Sequence, residues 1–158
     1  TGTAGEAGHM IVQPGGRSCP CGNHGCLEQY ISEPAVLSRY RELSGRTTVS
    51  IDDLVWAYNQ KETAALAVMD EFTTYLACGI NNLWNLFSPE CIILNCQLTA
   101  YLPQLLPEIL QKLSPRFRAT CQLKLSTLQD TGVLLGAAKV CISKYLGTEK
   151  LYFSGLQP

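Results

Sequence analysis

A group of three cysteines and one histidine near the start of the chain constrains its fold more than any other feature. Cys19, Cys21 and Cys26 lie in a short loop rich in glycine and proline, and His9 precedes them on a separate segment. Zn²⁺ prefers four nitrogen or sulfur ligands in a tetrahedron, and three cysteines with one histidine form a common structural set. Glycines between the cysteines allow the backbone to fold back, so that the third thiolate reaches the same ion. The spacing predicts a structural zinc ion bound by these four residues.

Two alternatives remain open for this group. His24 lies inside the loop, but it would have to double back beside Gly25 to reach the ion, whereas His9 closes a tetrahedron more easily from its own segment. The chain has 8 cysteines, and an even number also permits disulfides. The other cysteines are scattered through apolar segments, where a free thiol packs as a small hydrophobe. These positions favour zinc over a disulfide scaffold and over inert or redox-active thiols.

Length and composition exclude several classes of protein. The 158 residues are enough for one domain with a real core, and 46% of them are hydrophobic. The net charge is −1 and basic residues are not clustered, which argues against direct binding of nucleic acid by this segment. No apolar run approaches the roughly 20 residues that span a bilayer. We expect a cytoplasmic protein and, because the chain starts at Thr1 without a methionine, a piece of a longer one.

Hydrophobic periodicity predicts an alternation of strands and helices. Strands are expected at 7–12, 91–94 and 121–125. One helix is expected from Leu27 and another from a cap and first turn at Ser32 and Pro34 to Gly45. Further helices are expected from a capping box at 50–53 to Tyr58, at 62–86, at about 102–113 and from 132 to about 146. The long helix is expected to bury Ala65, Met69, Phe72, Leu76, Ile80, Leu83 and Phe87, and the last helix Leu134, Leu135, Ala138 and Ile142. Strand, helix, strand and helix in succession indicate an α/β layer with parallel strands.

Two motifs together resemble the double signature of the ROK family (repressors, open reading frames and sugar kinases). They are Gly5-Glu6-Ala7-Gly8-His9 and Cys19-x-Cys21-Gly-x-x-Gly-Cys26-x-Glu28, and every spacing of the signature is kept. The segments 85–94 and 130–138 are also similar to family segments. The resemblance covers essentially the whole chain as the second half of a family member. It implies the carboxy-terminal half of an actin-like (RNase H-like) α/β fold, residues 1–158, with a zinc-bearing loop at 9–28.

The resemblance also implies roles for individual residues. His9, Cys19, Cys21 and Cys26 match the family's zinc ligands, and Glu6, His9 and Glu28 match the residues that bind sugar hydroxyls. Ionised carboxylates only accept hydrogen bonds, which suits the hydroxyl donors of a pyranose. Taken alone, Glu28 could instead be a carboxylate that stabilises the start of a helix, and Glu6 an exposed loop residue.

One departure from the family pattern bears on activity. Family kinases have a glycine-rich turn after the strand at 91–94, whereas segment 94–99 (Leu-Asn-Cys-Gln-Leu-Thr) contains no glycine. Side chains there are expected to obstruct the close approach of backbone to ATP. Segment 12–28 also looks most like that of the family's sugar-responsive repressors. This resemblance implies the effector half of a transcriptional repressor, with a hexose or N-acetylhexosamine effector, a homodimer, and operator DNA bound through a missing amino-terminal helix-turn-helix. The alternatives are an ATP-dependent sugar kinase and a zinc-stabilised dimerisation module without sugar binding.

Overall fold

A long central helix organises the part of the chain that the structure describes. The computed structural model describes residues 5–128 and 131–148. Helix α4, Thr63–Phe87, is contacted by α1 (Glu28–Ile31), α2 (Glu33–Ser44), α3 (Ile51–Asn59) and α6 (Leu105–Lys112). The core forms where these helices meet.

Local capping signals account for the ends of the first helices. Pro34 lies in the first turn of α2, where its missing N–H costs nothing, and Gly45 ends the helix in the left-handed conformation at φ 69°. Ser50 and Asp53 form the predicted capping box at α3, since each side chain accepts a hydrogen bond from the backbone N–H of the other. The predicted bounds of these helices are confirmed to within a residue or two.

Helix α4 follows the predicted hydrophobic stripe over most of its length. The buried members of the stripe include Ala65, Met69, Phe72, Leu76 and Ile80, and Trp84 continues the four-residue spacing. The prediction is wrong at the carboxyl end of the helix. Leu83 is only half-buried, because it lies to one side of the ridge that Trp84 extends, and Phe87 is 74% exposed at the last residue of the helix.

The two strands pair in parallel, as predicted. β1 (Cys91–Leu94) lies beside β2 (Gln122–Leu125), with Cys91 opposite Gln122 and Leu94 opposite Leu125. The connection forms three helices, α5 (Gln97–Tyr101), α6 and α7 (Pro115–Thr120). The second, α6, confirms the helix expected at about 102–113 within three residues at its start and one at its end, whereas the short helices on either side of it were not predicted. Pro103 separates the first two, and Ser114 caps the third by accepting from the Phe117 N–H at 3.1 Å.

Two further predictions need correction. The strand expected at 7–12 is a turn of 3-10 helix, Ala7–His9, followed by one isolated bridge between Ile11 and Cys26, because this segment bonds to the loop rather than to a sheet. Helix α8 (Thr131–Leu146) forms as predicted, but its expected core residues are not buried. Leu134 is 72% exposed, and within the described ranges none of the residues of α8 is buried. Position 130, in the motif before α8, lies outside the described residues.

Candidate metal centre and binding cleft

The residues predicted to bind a metal meet at one point. The ligand atoms of His9, Cys19, Cys21 and Cys26 all lie within 4.8 Å of one another. His9 Nδ1 is 3.7 Å from Cys19 Sγ, and Cys21 Sγ is 3.6 Å from Cys26 Sγ. Ligands placed tetrahedrally about 2.3 Å from a zinc ion would be about 3.8 Å apart. The cluster therefore fits a tetrahedral metal ion.

The loop reaches this geometry through a close contact between two backbone segments. Gly25 has φ 81°, and a Cβ atom there would lie 1.7 Å from the carbonyl oxygen of Gln13, so only glycine fits. The Gly25 carbonyl accepts from the Val12 N–H at 2.9 Å, and the Gly25 N–H donates to the Arg17 carbonyl at 2.7 Å. These bonds fix the backbone at Gly25, the residue directly before the ligand Cys26.

The alternative histidine is not part of this cluster. His24 is exposed, forms an isolated antiparallel bridge with Ser18, and does not contribute to the group of ligand atoms. The 3-10 turn instead carries His9 to the cysteines. The structure thus brings together the ligand set that the spacing favoured.

The three thiols differ in acidity because their surroundings differ. The Cys21 N–H favours the Cys19 thiolate, but burial and the bond from this thiol to Glu28 outweigh it and raise the pKa of Cys19 to about 12. Burial raises the pKa of Cys26, whereas the Asn23 N–H lowers the pKa of Cys21. Thiolates packed this closely repel one another, so a cation between them would favour their joint ionisation.

The predicted sugar-binding residues lie on one side of the cluster. Glu28 Oε1 accepts from Cys19 Sγ at 3.1 Å and lies 3.6 Å from His9 Nδ1, while Glu6 Oε2 lies 3.9 Å from His9 Nε2. The hydrogen bond from Cys19 holds the pKa of Glu28 below its usual range, so the carboxylate is ionised near neutral pH. The side chains of Glu6 and Glu28 are 66% and 36% exposed and remain open to a ligand.

A cleft of about 440 Å³ runs from Glu28 to the end of β1. Its lining comprises Gly8, Glu28, Ile31, Ser32, Glu33, Phe72, Leu76 and residues 93–98. Glu33 was not predicted as a site residue, since its place in the first turn of α2 is typical of a carboxylate that stabilises a helix start. Among the described residues that line the cleft, none is a lysine or an arginine.

The glycine-free turn lies at the carboxyl ends of the two strands. A smaller cavity of about 160 Å³ is lined there by Asn95, Cys96, Gln97, Thr99 and Ser126, among others. Ligands of open α/β sheets bind outside the carboxyl ends of parallel strands. Helix α5 begins at Gln97, directly after this turn.

No helix in the described ranges is long and apolar enough to cross a membrane.

The amino-acid sequence of the chain is similar to those of known proteins. The model of the ROK family matches residues 1–144. The chain is 30% identical over 155 residues to the xylose repressor of Bacillus spizizenii (strain ATCC 23059 / NRRL B-14472 / W23), covering 96% of this chain and 40% of the repressor. The chain thus spans less than half the length of this curated relative.

Solved structures of ROK proteins share its fold. The ROK hexokinase from Thermus thermophilus has a TM-score of 0.73 at 25% identity, covering 90% of this chain and 50% of that one. A ROK family transcriptional regulator, a homolog of the E. coli MLC protein, has a TM-score of 0.71 at 28% identity, covering 91% of this chain and 40% of that one. These likenesses support the actin-like α/β class expected from the sequence. The chain belongs to the ROK family.

Proposed function

We propose that this chain is the sugar-sensing half of a cytoplasmic ROK-type transcriptional repressor. The observation that carries the proposal is the convergence of Glu6, His9 and Glu28 beside a four-ligand metal cluster, at the mouth of a cleft. In this proposal the protein is a homodimer, and it binds operator DNA through an amino-terminal helix-turn-helix outside this chain. The similarity to a xylose repressor and to a ROK regulator supports it.

The metal in this proposal is Zn²⁺ with a structural role. Four protein ligands leave no open coordination position, so the ion supplies rigidity rather than Lewis acidity. His9 faces the cysteines and Glu28 through Nδ1 and faces Glu6 through Nε2. Fixing the imidazole in this way would also fix its second nitrogen toward a sugar hydroxyl.

The lining of the cleft favours an uncharged sugar. Glu28 accepts hydroxyl protons, and Glu33 adds a second carboxylate along the same wall. Ile31, which is half-buried, and Ile93, which is exposed, contribute apolar surface against which the C–H face of a pyranose can pack. A hexose or N-acetylhexosamine meets both requirements.

A ROK sugar kinase is the second candidate, and two observations favour it. The chain shares its fold with the hexokinase from Thermus thermophilus, and a cavity lies at the carboxyl ends of β1 and β2. Against it, the turn that lines this cavity has Asn95, Cys96 and Gln97 in place of glycine. Backbone approach to a nucleotide phosphate is easiest where side chains are absent.

Sugar binding by the full-length protein tests the proposal. Calorimetry with glucose, N-acetylglucosamine and xylose should find at least one ligand, whose addition changes operator affinity. Replacing Glu28 by Gln should weaken the binding of that sugar about tenfold or more, which is the scale of one hydrogen bond to a charged group. Glu90→Gln is the matched control, because Glu90 is exposed ahead of β1 and outside the cleft. Turnover of ATP with any of these sugars would establish the kinase instead, and absence of sugar binding would leave a dimerisation module.

Metal analysis and light scattering test the rest of the proposal. The protein should be dimeric, with about one Zn²⁺ per chain. Cys21→Ser should release the ion, whereas Cys141→Ser, on the exposed helix α8, should not. Zinc retained in the Cys21 variant would contradict the assigned ligand set.

A further inference from the structure

Arg17 connects the metal loop, the segment 9–28 that carries the clustered ligands, to two helices. Its Nη1 donates to the Gln29 carbonyl of α1 at 2.8 Å, and its Nη2 pairs with the carboxylate of Glu71 on α4. The guanidinium also lies over the ring of Tyr30, 4.6 Å from the ring centroid. Arg17 is not itself one of the clustered ligands.

The backbone of Arg17 closes the base of the same loop. Its carbonyl accepts from the Gly25 N–H at 2.7 Å, and its N–H donates to the Tyr30 hydroxyl at 3.0 Å. Tyr30 is buried and stacks on Tyr75 of α4, with ring centroids 4.0 Å apart. Both the main chain and the side chain of Arg17 are therefore anchored to parts of the fold that do not belong to the loop.

We infer that Arg17 is a positioning residue that holds the loop in its metal-binding geometry without touching the metal. The inference rests on the metal site of the proposed function. A loop that must be ordered on binding loses affinity, whereas one already ordered does not. Arg17 supplies this order, since it joins the residue before Cys26 to α1 and α4.

Arg39 offers a matched control for this role. Its Nε donates to the other oxygen of the Glu71 carboxylate at 3.2 Å, and its Nη1 pairs with Glu42 at 3.0 Å. Both partners of Arg39 lie on helices, and neither belongs to the loop. Removing Arg39 takes a cation from the same carboxylate while leaving the loop contacts intact.

The test compares Arg17→Met, Arg17→Lys and Arg39→Met in the full-length protein. We measure zinc release to an excess of chelator, Co²⁺ affinity from the thiolate-to-cobalt absorption, and amide exchange of residues 17–26 without metal. Arg17→Met should release zinc about tenfold faster or more and expose the Gly25 amide, while Arg39→Met changes release less than about twofold. Arg17→Lys should fall between them, because it keeps the charge but not the planar fork.

Equal release rates and equal amide exchange in the two methionine variants would overturn the inference, as would an unchanged Arg17→Met. If the wild-type protein binds neither ion, the proposed metal site fails. Amide exchange in the metal-free protein still decides the role of Arg17 in that case, because it reports the order of the loop directly.

Discussion

Replacing Gly25 by alanine tests the close backbone contact that shapes the metal loop. Gly22 is the matched control, because it lies in the same loop at φ 92° but a Cβ atom there would meet nothing within 4 Å. An alanine at either position takes on the left-handed strain of about 1–2 kcal/mol. At position 25 the new Cβ would also lie 1.7 Å from the Gln13 carbonyl oxygen, which is backbone and cannot rotate away.

The additional cost follows from the bonds that must break. Moving the two segments apart would stretch the bonds from the Val12 and Gln13 N–H groups to the Gly25 carbonyl, now 2.9 and 3.2 Å. Losing two such bonds costs about 1–3 kcal/mol. We therefore expect Gly25→Ala to lower the free energy of unfolding by about 2–5 kcal/mol, against about 1–2 kcal/mol for Gly22→Ala.

Urea denaturation of the metal-loaded protein, followed by circular dichroism, measures both values. The slope of free energy against urea should stay constant, so that the change is one of stability. Equal losses of stability in the two variants, within about 0.5 kcal/mol, would refute the argument from close approach.

Three further predictions concern the helices. Leu76→Ala should lower the free energy of unfolding by about 2–5 kcal/mol because this side chain is buried in the core, whereas Leu86→Ala, at a 72% exposed position, should change it by less than about 0.5 kcal/mol in the same urea titration. Ser50→Ala should cost about 1 kcal/mol through loss of the helix cap, measured in the same way. The side-chain and backbone hydrogen bonds from Ser50 hold the pKa of Asp53 below its usual value. Their contribution to folding stability is therefore fully present above the unfolded pKa of about 3.9, and it is lost as the pH falls through the lower pKa of the folded state. An NMR titration should therefore find this pKa raised in Ser50→Ala; an unchanged pKa would contradict the capping geometry.

Elements with local signals could be predicted from the sequence, and elements decided by tertiary contacts could not. Ser50, Asp53 and Gly45 act on their own helix ends, so their effect is visible in the sequence. The segment at 7–12 has the apolar pattern of a strand, but its backbone partners are Gly25 and Leu27 of the loop rather than a neighbouring strand. The stripe of α4 was predictable up to Ile80, whereas the exposure of Phe87 depends on which neighbours reach the helix end.

The candidate site shows the same division. The spacing of the cysteines encodes the metal cluster, because the ligands come from one short loop and a nearby turn. The side chains of Arg17 and Glu71 come from distant segments, and no spacing rule connects them. Glu33 likewise lines the cleft because the fold brings the start of α2 beside the end of β1, and no local sequence pattern encodes that arrangement.

The exposure of helix α8 has a consequence for how the chain loses its structure. An isolated helix of 16 residues is marginal in water, and α8 buries none of its residues within the described part of the chain. Its opening would expose little new apolar surface, so it need not await the disruption of the core around α4. Helical ellipticity would then begin to fall at a lower temperature than the near-ultraviolet signal of the buried Trp84. A single melting temperature would describe neither event, because this chain would not unfold in one cooperative step.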